Sequence, residues 1–114
     1  MNLRNMVLLL TATTLAACST TSSRVALFET GNQKLYISGS AKNGAITDEL
    51  VITVNGQAII QGTISTVQPT ANLTGTYQGI KIDAECKNVD TGGFQFVHQC
   101  IIYANSTKAA ELSF

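Results

Sequence analysis

The sequence predicts an all-β fold, a small antiparallel β-sandwich or barrel of about seven strands, and three observations carry that expectation. Threonine is the most frequent residue, and threonine, isoleucine and valine together make up more than a quarter of the chain, a strand-forming composition that also has glycine and serine for turns, one proline and no tryptophan. Short apolar stretches recur at strand-like spacing and are separated by turn residues. Ile80, Ile82, Ala84 and Cys86 alternate strictly with Lys81, Asp83, Glu85 and Lys87, the period-two pattern of a sheet with one buried and one wet face. Beyond residue 17 no segment has sustained helical periodicity.

Taken in order, Arg24–Glu29 reads as a first strand and Lys34–Ser38 as a second, with Thr30-Gly31-Asn32-Gln33 as the turn between them. Ser40–Thr47 has little periodicity and reads as a loop. Glu49–Val54 and Gln57–Gln61 flank Asn55-Gly56, the preferred type I′ hairpin pair, because both residues tolerate positive φ. A regular two-residue hairpin would set Ile52 opposite Ile59 and Val51 opposite Ile60, with both faces apolar and covered.

Gly62–Ala71 carries Pro69 and reads as a connection or an edge segment. Leu73–Tyr77 and the alternating stretch from Ile80 follow, then a turn at Asp90-Thr91-Gly92-Gly93. Phe94, Phe96, His98, Cys100 and Ile102 would share one face of the next strand. Pairing Cys86 with Cys100 would also bring Ala84 to Ile102, so the cysteines and the apolar pattern agree on one register. Lys108–Phe114 is expected as a last strand, with a short helical turn as the alternative.

The first segment has a different character. Arg4 and the amino terminus supply positive charge, Met6–Leu10 opens an apolar run, and small residues follow, which together make a secretory signal over residues 1–17. The run is too short and threonine-rich to span a bilayer, which takes roughly 20 apolar residues. Leu15-Ala16-Ala17-Cys18 resembles the lipobox of bacterial lipoproteins at every position. The resemblance covers about a sixth of the chain and implies a maturation pathway, not a fold. It implies that the Cys18 thiol is alkylated with diacylglycerol, that the signal is cut before Cys18, and that the new amino group is acylated. Three acyl chains, at about 0.8 kcal/mol per buried methylene, would make the anchor effectively permanent. Ser19 after the cysteine, where Asp does not stand, implies the outer membrane in double-membraned bacteria. Residues 18–23 are then expected as a flexible tether and residues 24–114 as a single β domain.

With the signal removed, Arg4 is lost and six basic groups face seven acidic ones. That balance speaks against nucleic acid or an anionic membrane surface as the main partner. Cys86 and Cys100 are the cysteines left in an exported chain and read as one disulfide. A metal pair is the alternative, but His98 would be the only imidazole nearby.

His98 has no serine or carboxylate at a spacing that makes it a catalytic base. A hydrogen-bonded histidine opposite Asn88 at a sheet end is the expected role. Asp83 and Glu85 share a strand face with Lys81 and Lys87, as on a solvated, charge-balanced surface; paired glycosidase carboxylates come from separate strands across a cleft. Gly75 and Gly79 read as turn glycines with no phosphate-cradling helix after them. Tyr36, Tyr77 and Tyr103 are candidate rim aromatics.

No catalytic residue, metal set or cofactor site is assigned. The expected activity is that of a non-enzymatic lipoprotein, anchored in the outer membrane, whose domain binds or braces another envelope protein. An inhibitor or exclusion lipoprotein, for lysozyme inhibition or for phage or plasmid exclusion, is the alternative. An exposed sheet edge would suit strand addition to a partner.

Overall fold

The computed structural model describes residues 19–93 and 95–114. The expected signal at residues 1–17, Cys18 and Phe94 lie outside the described residues. Nine strands run in chain order: β1 (Thr20–Ser22), β2 (Ala26–Thr30), β3 (Gln33–Lys42), β4 (Thr47–Val54), β5 (Gln57–Ser65), β6 (Thr70–Tyr77), β7 (Ile80–Gly92), β8 (Gln95–Ala104) and β9 (Thr107–Ser113). They form two antiparallel sheets packed face to face, the expected all-β sandwich with nine strands rather than about seven.

The first sheet has the order β2-β3-β4-β5, with β1 pairing the far end of β3 beyond β2; the second has the order β6-β7-β8-β9. Leu35, Ile37, Leu50, Ile52, Val54, Ile60 and Ile64 from the first sheet meet Ile82, Ala84, Cys86, Cys100, Ile102 and Leu112 from the second in one core. Each apolar side chain removed from water contributes on the order of 1.5–3 kcal/mol, which offsets much of the chain entropy lost on folding.

The two sheets are built on one plan. Asn55 (φ 51°) and Asn105 (φ 46°) each open a two-residue turn. Each also accepts a backbone N–H on its side-chain Oδ1, from Tyr36 at 2.8 Å and from Lys81 at 3.0 Å. Beyond each turn the register slips by one residue, between Ile52 and Thr53 in the first sheet and between Ile102 and Tyr103 in the second. The position held by the pair Ala41 and Leu50 in the first sheet is held by Cys86 and Cys100 in the second. All four tight turns, at Gly31-Asn32, Asn55-Gly56, Gln78-Gly79 and Asn105-Ser106, therefore lie at one pole of the sandwich. The longer connections Asn43–Ile46 and Thr66–Pro69, together with the far end of the β7–β8 hairpin, lie at the other.

Several sequence expectations change. The bulge after Asn55-Gly56 sets Ile52 opposite Ile60, not Ile59, and Val51 opposite Gln61. The slip puts Ile52 and Ile60 together on the core face and leaves Val51 and Ile59 half-buried, so the hairpin is covered on one side and not both. β3 continues through Ser40 to Lys42 and β5 through Gly62 to Ser65, in stretches expected as loop and connection. Their inward positions include small residues (Ala41, Gly62), so the apolar alternation is weak there, although Ala41 and Ile64 are buried. β7 runs to Gly92, past the turn expected at Asp90, with a register shift between Asp90 and Gly92.

Thr20–Ser22, expected as part of a flexible tether, pair with Lys42, Ala41 and Ser40 of β3. β3 outlasts β2 at this edge, and its free backbone groups are satisfied by the incoming chain. Lys108–Phe114 contributes the last strand, as expected, and not a helical turn.

Candidate functional site

The sequence-derived site residues fall in three places. Cys18 lies outside the described residues. Cys86 and Cys100 are disulfide-bonded directly across the β7–β8 pair, with Cα atoms 4.0 Å apart, and Ala84 faces Ile102 in the same register. His98 lies at the pole of the long connections, 4% exposed.

His98 is held from both sides. Asn88, its cross-strand partner, presents Oδ1 to Nδ1 at 2.7 Å, and Asp48 of the opposite sheet presents Oδ2 to Nε2 at 2.9 Å. The orientation of Asn88 is fixed because its Nδ2 donates to the Ser65 carbonyl at 3.2 Å. Both ring nitrogens are thus engaged, one by the Asn88 amide oxygen and the other by the Asp48 carboxylate. Asp48 also accepts the Gly44 N–H on Oδ1 at 3.1 Å, so it ties the β3–β4 connection to the histidine. The His98 backbone exchanges two hydrogen bonds with Phe114, whose ring lies 5.8 Å from the imidazole.

The expected contact with Asn88 is present, and the Asp48 contact is new. No local spacing signals it, because it bridges 50 residues and both sheets. The one trace is positional: Asp48 stands two residues before Leu50, and His98 two before Cys100, the equivalent core positions of the two halves.

With both nitrogens engaged, the ring has none free to activate a hydroxyl, and the cluster works as a polar clasp between the sheets. Replacing Asp48 by Ala leaves a buried ring nitrogen unpaired, and stability should fall by about 1–3 kcal/mol in denaturant unfolding. A change below about 0.5 kcal/mol would mean that the clasp contributes nothing.

The outer face of the second sheet is the other candidate. Asn72, Glu85, Ile101 and Glu111 stand side by side across β6 to β9, with Thr70, Lys87, Gln99 and Ser113 in the next row. These two rows line an open groove of about 620 Å³. The row on its other side is Thr74, Asp83, Tyr103 and Lys108, and Asp83 and Tyr103 line a second, adjoining hollow. Ile101 is half-buried at the centre with a carboxylate on each neighbouring strand.

Asp83 and Glu85 lie on this face. Asp83 is 3.9 Å from Lys81, as expected of a charge-balanced surface. The tyrosines do not form one rim. Tyr36 is exposed on the first sheet, Tyr77 accepts a hydrogen bond from Asn55 Nδ2 at the turn pole, and Tyr103 faces the groove side of the second sheet. Among the described residues no three His, Cys, Asp or Glu side chains gather in a way that could hold a metal ion. Comparison with protein-family models, with curated proteins and with solved structures finds no match to this chain.

Proposed function

We propose that the mature protein is a lipid-anchored, non-catalytic accessory domain of the bacterial outer membrane that binds another envelope protein through the outer face of its second sheet. The groove across that face carries the reading: an apolar centre at Ile101, bracketed by Glu85 and Glu111 and rimmed by Lys87, Gln99 and Asn72. An apolar centre within a polar rim is how protein-binding surfaces are composed. The anchor follows from the lipobox at Leu15–Cys18 and supplies membrane attachment without a spanning segment.

The face is preferred to strand addition at a free edge because the edges sit against one another. β5 packs along β6, where the β6 backbone at Gly75 lies so close to the Ile59 carbonyl that a Cβ would stand 2.5 Å from its oxygen. β2 likewise lies beside β9.

Two measurements test the reading. Cys18→Ser should move the protein from the membrane fraction to the soluble fraction; a membrane-bound variant would overturn the anchor. Crosslinking of the lipidated protein in whole envelopes at native abundance should recover one recurrent envelope protein. That protein should be lost with Ile101→Arg and kept with Thr63→Arg on the first sheet. Recovery of a soluble or foreign protein would favour the inhibitor or exclusion role, and recovery unaffected by Ile101→Arg would displace the groove.

A further inference from the structure

The chain enters the fold with no slack. Ser19 accepts the Asn43 N–H on its carbonyl at 3.0 Å and the Asn43 side-chain amide on its hydroxyl at 2.9 Å. Thr20, Thr21 and Ser22 then pair with β3, and the Ser23 N–H reaches the Gly39 carbonyl at 2.8 Å. A lipid on Cys18 would therefore sit one peptide unit from a residue bonded to the β3–β4 connection, at the pole of the long connections.

That pole is where the described residues expose their most open large apolar side chains. Ile46, in the β3–β4 connection, is 78% exposed, and Val67, in the β5–β6 connection, is 84% exposed. Phe96, near the far end of the β7–β8 hairpin, is 49% exposed. The remaining ones, Val25, Leu27 and Tyr36, lie along the β2–β3 flank. The charges around the pole are mixed, with Lys42 and Lys87 against Glu49 and Asp90.

We infer that the long-connection pole is a membrane-seating surface: the domain stands upright on the bilayer, with Ile46 and Val67 dipped among zwitterionic lipid headgroups and Phe96 at the margin. The inference rests on the lipid anchor at Cys18 proposed above. Three features converge on it. The chain enters at this pole, β1 removes the tether that would let the domain tumble, and two independent loops present apolar tips at the same pole, the β3–β4 loop directly beside the entry point. Single exposed apolar residues are ordinary on a protein surface. Two tips on the same pole as a membrane-proximal terminus have an apolar phase within reach, and amphipathic surfaces near an anchor add to its hold. The mixed charge selects a neutral lipid surface over an anionic one. Seating the pole would stand the groove of the second sheet perpendicular to the bilayer, open to a partner in the same membrane.

The test uses the full lipidated protein in phosphatidylcholine vesicles. A single cysteine carrying a polarity-sensitive fluorophore replaces Ile46, Val67 or, near the opposite pole, Gln57, while Cys86 and Cys100 stay bonded. Nitroxide-labelled lipid should quench the probes at 46 and 67 several-fold more strongly than the probe at 57, with blue-shifted emission at 46 and 67 only. Equal quenching at all three positions, in protein that floats with the vesicles, would overturn the seating and leave the anchor intact. Protein that neither floats nor carries acyl groups on Cys18 would overturn the anchor, and the seating with it. Blue-shifted but unquenched probes at 46 and 67 would show the pole covered by protein instead, which also overturns the seating.

Discussion

Replacing Cys86 and Cys100 together by alanine should lower the stability of the domain by about 3 kcal/mol. The sequence separation of 14 residues sets that magnitude, since cross-linking a loop of this size removes a corresponding entropy from the unfolded chain. In a domain this small such a loss corresponds to a fall in Tm on the order of 10–20 °C. Reduction of the unaltered protein should give a shift of similar size, because both treatments open the same loop. The bond closes two strands already paired at that register, and both cysteines are buried opposite core residues. The alanine pair also removes two sulfurs from the core, so its cost should equal or exceed that of reduction. A Tm unmoved by reductant would show that the bond is not formed in the folded protein.

The disulfide was legible for a physical reason. Period two fixes which residues share a face, so once Cys86 and Cys100 are paired, Ala84 must meet Ile102, and the sequence places an apolar residue at each. The tight turns were legible for a similar reason at Asn55-Gly56, where only residues tolerant of positive φ close a two-residue hairpin. Legibility failed where the fold depends on what one sheet does to the other. The bulge beyond Asn55-Gly56 is not written in the hairpin itself, since Ile59 and Ile60 are equally apolar; the facing sheet selects Ile60 for the core. Strands β3 and β5 run on through glycine and alanine because a bulky group from elsewhere occupies the space, and nothing local reports that group. The same limit applied to the candidate site. His98 and Asn88 face each other on paired strands and were connected by register, whereas Asp48 joins them from the other sheet. The groove around Ile101 likewise depends on four strands lying side by side.

Phe114→Ala should cost about 3–5 kcal/mol, the range for deleting a buried phenylalanine ring. The ring is 8% exposed and fills the space over Gly39, where a Cβ would stand 2.5 Å from Cε1 and 2.8 Å from Cζ. Its backbone is bonded on both sides to that of His98, so the ring and the polar clasp share one corner of the core. The converse change, Gly39→Val, should cost about 1–3 kcal/mol in the unaltered protein by overpacking against the ring. Gly39 does not need glycine for its backbone, as its φ is not positive, and valine suits a strand better than glycine. In the Phe114→Ala background the same valine should therefore become neutral or stabilising, because it fills the vacated space and gains strand propensity. Denaturant unfolding of the two single variants and the double variant closes the cycle, and the coupling should be favourable by at least 1 kcal/mol. Strictly additive costs would mean that the ring does not rest on Gly39, and that the small residues of β3 have some other cause.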